Sequence, residues 1–205
     1  MPGLVEAANI VLASASESRA SILRGAGVPF AKVPAHLDED ALRAELLAQG
    51  KSDAKAIAAN LARAKAAAVA RLHPQAVVIG ADQVLDHGGR VLSKPGTRDE
   101  ARAQLFALRG GRHALHSAVC IAWGEDILWQ AVDTAWIGFR AFSDAFLERY
   151  LDAAGEDILG CVGACRVEDL GIHLLASIEG DFFTILGLPL LPLLEALRAQ
   201  NAIPS

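Results

Sequence analysis

Hydrophobic and polar positions near the start of the chain form blocks that predict alternating strands and helices. Residues 10–13 are a continuous apolar run typical of a buried strand, and the serine-rich stretch after them leads into a helix ending near Gly25 or Gly27. Residues 28–35 predict a second strand, and residues 41–48 predict a short helix. This order is typical of an α/β protein.

The longest predicted helix runs from Ser52, a candidate N-cap, to about His73, where Pro74 stops it. Lys65 falls about 60° from the centre of the apolar stripe of this helix, at ~100° per residue. Such a lysine snorkels to solvent or reaches into an adjoining cleft. The stripe comprises Ile57, Leu61, Ala64, Ala68 and Leu72.

The next predicted strand, residues 76–85, is apolar enough to be central in a sheet and delivers Asp82 to its end. Open α/β sheets bind ligands at the carboxyl ends of their strands. A hairpin at residues 86–89 returns the chain to Lys94, near Asp82. The two side chains could form an ordinary ion pair, or a base or metal ligand beside a phosphate-binding cation.

The rest of the chain adds helices and long strands but no internal repeat or linker, which predicts a single domain of two lobes over residues 1–205. Thr97 and Glu100 form a capping-box pattern, and Ser143 is a candidate cap for a further helix. We expect residues 201–205 to fray. The predicted strands are 113–123, 126–139 and 171–178, and the predicted helices start at 97, 143 and about 187.

Composition limits the possible partners. The 205 residues are 53% hydrophobic and 21% charged, typical of a globular domain with a full core. A net charge of −5 argues against a nucleic-acid groove but allows a small anionic ligand. We find neither a signal-peptide pattern nor a membrane-span pattern and expect a cytoplasmic protein. An exposed apolar face would support a homodimer.

The turn after the first strand carries hydroxyls and one cation: Ser14, Ser16, Ser18 and Arg19. A helix that follows a strand presents free backbone N–H groups, to which phosphate binds readily. The alternative is that Ser16 only caps the helix and Arg19 lies in water. Further along, residues 38–40 are three consecutive carboxylates, which form either a solvated helix start or ligands for magnesium.

Five ordered motifs together resemble the Maf family of nucleotide pyrophosphatases, within the wider inosine-triphosphate pyrophosphatase-like group. The resemblance extends from about Ile10 to Leu197. The motifs are "LASASESRASIL", "LDE" at 37–39, "LARAKA" around Lys65, "IGADQV" with "LSKP", and "GDFFTILGLPL".

The resemblance implies an elongated α/β fold, a mixed sheet with flanking helices and a central cleft between two lobes. It also implies house-cleaning hydrolysis of a nucleoside triphosphate to a monophosphate and pyrophosphate, with a divalent cation, Mg²⁺ or Mn²⁺. Asp82 would be the proton acceptor and, with Glu39, a metal ligand. The implied phosphate contacts are Ser14, Arg19, Lys65 and Lys94, with Ser16 in the same turn.

Three positions bear on the base. Gln83 and Glu168 resemble the 7-methyl-GTP subgroup, and a carboxylate at 168 can accept two hydrogen bonds from guanine. At position 18, one of the two subgroups (7-methyl-GTP, or dTTP and UTP) has tryptophan and the other has arginine. This chain has Ser18, which offers no ring for stacking on a base. The alternatives are a dTTP/UTP pyrophosphatase of the same family, a nucleotide-binding regulator of cell division or septum formation, and a nucleotidyl or sugar-phosphate transferase.

Overall fold

The computed structural model describes residues 9–49 and 53–204. In this part of the chain, a mixed sheet has the strand order β2-β1-β3-β5-β6-β7, and β4 pairs with β3. β1 is parallel to β2 and β3, and the other pairs are antiparallel. The strands are β1 (Ile10–Leu12), β2 (Ala31–Lys32), β3 (Val77–His87), β4 (Arg90–Leu92), β5 (Arg112–Trp123), β6 (Asp126–Phe139) and β7 (Leu175–Glu179).

Helices flank this sheet, as predicted for an α/β fold. They are α1 (Glu17–Gly25), α2 (Glu39–Ala48), α3 (Ala54–Leu72), α4 (Arg98–Leu108), α5 (Asp144–Ala154), α6 (Phe182–Ile185) and α7 (Leu190–Ala199). Three short 3₁₀ helices, Gly155–Gly160, Val162–Ala164 and Leu170–Leu174, lie in the stretch between α5 and β7.

Side-chain caps fix where several helices begin. The hydroxyls of Ser16, Thr97 and Ser143 each accept a hydrogen bond from the backbone N–H three residues later. Capping was predicted for Thr97 and Ser143 and was the alternative for Ser16. α3 is capped instead by Asp53, whose carboxylate accepts from Ala56 N at 3.0 Å. The predicted cap Ser52 lies outside the described residues.

The predicted stripe of α3 is only partly right. Ile57 and Leu61 are buried, but Leu72 is 75% exposed. The buried face continues instead through small residues, Ala58, Ala62 and Ala66, together with Lys65 and Val69. Small side chains let the helix axis approach the sheet closely, and Lys65 is buried on the same face of the helix.

The two faces of the sheet are packed differently. α3 covers one face, where its alanines pack on Val78, Ala118 and Cys120. The opposite face carries two separate apolar clusters, one under α1 and α7 and one under α4 and α5. The apolar core on this face is therefore divided into two clusters.

A row of polar side chains separates the two clusters. Gln83, Ser117 and Asp133 are cross-strand neighbours on β3, β5 and β6. On each strand, every second residue faces the same side of the sheet as this row. Along the strand, such residues on one side of the row belong to one cluster, and those on the other side belong to the second. The division of the core into two clusters is therefore built into the side-chain pattern of three adjacent strands.

The start of the C-terminal tail packs on the fold, which differs from the expectation that residues 201–205 fray. Ala202 and Ile203 are buried in the cluster under α1 and α7, and Ala202 N donates to Leu197 O at 2.9 Å. None of the helices in the described residues is both long and apolar enough to span a membrane.

Candidate active site

The site forms where one edge of β3 is left without a partner strand. The pairing of β1 with β3 ends at Leu12 and Ile79, and the pairing of β4 begins at Leu85. Asp82 lies in the gap between them. The prediction that Asp82 ends its strand is wrong, because β3 continues to His87. Instead, the neighbouring strand β1 ends before it reaches Asp82. The segments that follow β1 and β4 therefore approach Asp82 from opposite sides.

A buried lysine joins the two carboxylates that the sequence singles out. Lys65 Nζ lies 2.6 Å from Asp82 Oδ1 and 2.9 Å from Glu39 Oε1. The Lys65 and Asp82 side chains are almost fully buried, whereas Glu39 is partly exposed. Oδ2 of Asp82 accepts no hydrogen bond from a described residue, so it is available to a water molecule.

Gly80 permits this arrangement. A Cβ at this position would lie 2.3 Å from Ala62 O and 2.5 Å from Ala66 N, which are backbone atoms of α3. Only glycine lets α3 lie this close to β3, with Lys65 beside Asp82. The glycine of the "IGADQV" motif therefore has a packing function that positions the ion pair.

Arg19 is buried, so the alternative that it lies in water is wrong. Its Nε donates to Gly187 O at 2.8 Å, and its Nη1 donates to Ser14 Oγ and Ala81 O, both at 3.1 Å. Burial lowers the pKa of Arg19, and the charges of Asp82 and Glu39 oppose that shift. Its Nη2 donates to no described residue, which leaves donors for an anion.

One cavity of about 1140 Å³ brings most of the predicted residues together. Lys94, which follows β4, is exposed on its wall and forms no ion pair with a described residue. Ser14 and Glu39 are not lining residues, but they contact Arg19 and Lys65, which are. The predicted residues that line the cavity are Ser16, Ser18, Arg19, Lys65, Asp82, Gln83, Lys94 and Glu168.

Two of the base-related positions meet across the cavity. Ser18 Oγ donates to Glu168 Oε1 at 2.8 Å. The neighbouring Glu17 also lines the cavity, and its charge is paired with Arg24 and Lys32. Hydrogen bonds from these two cations, Lys32 first, lower the pKa of Glu17 to about 2.

Gln83, the third such position, is held by its amide nitrogen. Nε2 lies within 3.1 Å of Ser117 Oγ and of two backbone carbonyls, those of Thr184 and Ile185. Because carbonyl oxygens only accept, these contacts fix the orientation of the amide. Gln83 therefore ties the polar row to α6.

Sequence reasoning missed the partners of Gln83 in this network. Ser117 Oγ donates to Thr184 O at 2.7 Å, and Thr184 Oγ1 donates to Asp133 Oδ2 at 2.6 Å. Asp181 caps α6 by accepting from Thr184 N. The only signal available in the sequence was a polar residue in each strand at a position whose neighbours two residues away are apolar.

His113, predicted to be an ordinary strand residue, lies in the cavity wall with Leu115, Ile137 and Phe139. It is 2% exposed, and its Nδ1 has no hydrogen-bond partner among the described residues. Burial, helped by the charge of His87, lowers the pKa of His113 to about 4. The imidazole is therefore neutral at neutral pH.

The carboxylates of Glu39 and Asp82 suit a divalent cation that takes its other oxygen ligands from phosphate and water. No group of three His, Cys, Asp or Glu side chains is placed to hold a metal within residues 9–49 and 53–204. Glu39 and Asp82 nevertheless converge on one cation, the ammonium of Lys65. Magnesium sites of this kind use one or two carboxylates and take their remaining oxygens from phosphate and water.

The fold agrees with the sequence comparisons. Residues 9–200 match the family of Maf-like proteins, and the chain belongs to this family. A nucleoside triphosphate pyrophosphatase of Caulobacter vibrioides is 47% identical over 194 residues, 95% of this chain and 96% of the relative. A 7-methyl-GTP pyrophosphatase of Rhizobium meliloti (strain 1021) is 45% identical over 194 residues, 95% of this chain and 97% of the relative.

Proposed function

We propose that this protein hydrolyses a nucleoside triphosphate to the monophosphate and pyrophosphate. The observation that carries the proposal is the convergence of Arg19, Lys65 and Lys94 on the cavity that also contains Asp82. Three cations near the Asp82 carboxylate suit a polyanion attacked by water. Maf relatives named as nucleoside triphosphate pyrophosphatases support the same reaction.

Asp82 is the proposed general base. Its Oδ2, which accepts no hydrogen bond from a described residue, accepts a proton from the water that attacks the α-phosphorus. Arg19, Lys65 and Lys94 bind the negative charge that develops on the phosphoryl and pyrophosphate oxygens. Ser14 acts mainly by orienting Arg19, and Ser16 acts by capping α1.

Glu39 and Asp82 would hold a divalent cation, Mg²⁺ or Mn²⁺, together with the phosphates. When bound, such a cation supplies positive charge that stabilises the phosphoryl oxygens. The protein's own part is to bring the two carboxylates together, one on β3 and one at the start of α2, and without ligand both contact Lys65.

The proposed base preference is for guanine, in a GTP or 7-methyl-GTP-like substrate. Glu168 can accept from N1–H and the amino group of guanine once Ser18 Oγ turns away from Oε1. Because Ser18 has no ring, 7-methyl-GTP gains less over GTP than stacking on tryptophan would give. The second candidate is a broadly tolerant enzyme that also takes UTP and dTTP, in which the Ser18–Glu168 hydrogen bond persists.

A panel of nucleoside triphosphates tests the reaction and the base together. Pyrophosphate and orthophosphate are measured separately for GTP, 7-methyl-GTP, UTP and dTTP, with Mg²⁺ or Mn²⁺ and with excess chelator. We expect pyrophosphate as the first product and no activity in chelator. Orthophosphate as the first product, or full activity in chelator, contradicts the reaction; faster turnover of UTP or dTTP contradicts only the base assignment.

Asp82→Asn isolates the general base. The amide keeps the shape of the carboxylate but cannot accept the proton, so we expect a loss of about 10²- to 10⁴-fold in kcat with the fold intact. The fold is checked by circular dichroism and thermal unfolding. Near wild-type turnover in a folded variant would show that Asp82 only occupies a position in the strand.

A further inference from the structure

We infer that Lys65 is an internal counter-cation that occupies the space between Glu39 and Asp82 until a triphosphate arrives, so that divalent metal and nucleotide bind as a linked pair. The inference rests on the proposed function, in which these two carboxylates are the metal ligands. It assigns to Lys65 a task separate from contacting phosphate, namely excluding metal from the empty site.

The first support is geometric. Lys65 Nζ lies 2.6 Å from Asp82 Oδ1 and 2.9 Å from Glu39 Oε1, so one ammonium already fills the position where the two carboxylates converge. Magnesium binds oxygen at about 2.0–2.1 Å. A dication at that distance from the same two oxygens would lie close to the Lys65 ammonium and be repelled by its charge. Lys65 must therefore leave before both oxygens can bind the metal.

The second support is the balance of charge. Arg19 is close enough to both carboxylates for their charges to affect its pKa. Lys65 and Arg19 therefore neutralise Glu39 and Asp82 in the absence of ligand. A divalent cation alone leaves two excess positive charges in a buried site, which is costly.

A triphosphate removes this obstacle. Its oxygens give Lys65 a new anionic partner in the same cavity, and the released carboxylates can then hold the metal. Each ligand therefore raises the affinity for the other, and by thermodynamic reciprocity the factor is the same in both directions. Couplings of this kind typically amount to about 5- to 150-fold.

The test measures Mn²⁺ binding without nucleotide, by titration calorimetry and by electron paramagnetic resonance of free Mn²⁺. Lys65→Met removes the competing charge and keeps most of the side-chain volume. We expect the Kd for Mn²⁺ to fall by about 10-fold or more relative to wild type. In thermal unfolding, Mn²⁺ alone should stabilise Lys65→Met much more than wild type, since ligand that binds only the folded state raises Tm.

Lys94→Met is the matched control. It removes the same charge from the same cavity, but Lys94 is exposed and has no ion-pair partner among the described residues. We expect its Kd for Mn²⁺ to stay within about threefold of wild type, because salt screens exposed charges. If Lys65→Met does not fold, Lys65→Gln replaces it, because its amide can still donate a hydrogen bond to Asp82 and so support folding. The amide carries no charge, so the expected fall in Kd is the same.

Unchanged Mn²⁺ affinity in the folded Lys65 variant overturns the inference, and so does an equal gain in Lys94→Met, which would indicate a general charge effect. These outcomes are distinct from failure of the proposed function. Mn²⁺ binding needs no turnover, whereas the nucleotide panel measures pyrophosphate release by the wild-type protein.

Discussion

Gly80→Ala tests whether the close approach of α3 to β3 builds the site. The added Cβ would lie 2.3 Å from Ala62 O and 2.5 Å from Ala66 N. Both are backbone atoms of a helix, so no side-chain rotation can relieve the clash. To restore an ordinary contact, α3 must withdraw by roughly 1 Å, in an interior too densely packed to absorb that shift freely.

Two losses follow from this movement. Overpacking of a core costs about 1–3 kcal/mol, so we expect the free energy of unfolding to fall by that amount. Lys65 lies between the two clashing residues on α3, so its Nζ moves away from Asp82 Oδ1. A displacement of about 1 Å in a reacting group costs on the order of 10²-fold, which is the decrease that we expect in kcat/KM for pyrophosphate release.

Urea unfolding and steady-state kinetics on the same preparation measure both effects. Gly25→Ala is the matched control, because Gly25 lies in the last turn of α1 and a Cβ there meets no atom within 4 Å. Alanine suits a helix better than glycine by about 1 kcal/mol, so this variant should be as stable as wild type or slightly more so. A Gly80→Ala protein within about 0.5 kcal/mol and about threefold of wild type would refute the reasoning.

Three further predictions concern other parts of the site. Thr184→Val leaves Asp133 without the hydroxyl that donates to it at 2.6 Å, so unfolding in urea should show a loss of about 1–3 kcal/mol, largely restored in Thr184→Ser. Glu168→Gln should reduce the GTP-to-UTP ratio of kcat/KM by about 5- to 150-fold, and an unchanged ratio would disprove the base contact. The pKa of His113 is lowered from 6.5 to about 4, so on acidification the unfolded chain takes up this proton before the folded protein does. The free energy of unfolding should therefore fall as pH drops from about 6.5 to about 4. His113→Asn should reduce that slope and leave the smaller contribution of His116, whose pKa is also lowered by burial.

Most of the elements could be predicted because their signals are local. The capping residues Thr97 and Ser143, and the long apolar strands β5 and β6, act through neighbours in sequence or through simple alternation. The motifs that resemble the Maf family include four charged residues that line the cavity, namely Arg19, Lys65, Asp82 and Lys94. What they left open was which of those residues contact one another.

The alternatives that sequence left open depended on tertiary packing. Arg19 could lie in solvent or in a buried site, and its hydrogen bond to Gly187, 168 residues away, decides for the buried site. Lys65 could snorkel or turn inward, and its contacts with Asp82 and Glu39 decide for the inward position. Periodicity cannot distinguish these states, because it describes one helix and not the surface packed against it.

The sequence by itself determined most of the strands and helices, several of the caps and the family, since these follow from side-chain patterns over a few residues and from ordered motifs. Tertiary structure alone decided that Asp82 lies beside the end of β1 and that α3 packs on β3 through alanines and Gly80. It also placed Gln83, Ser117 and Asp133 in one row between two cores. Each of these depends on strand register and on close approach between distant segments, and both are set by packing the whole chain at once.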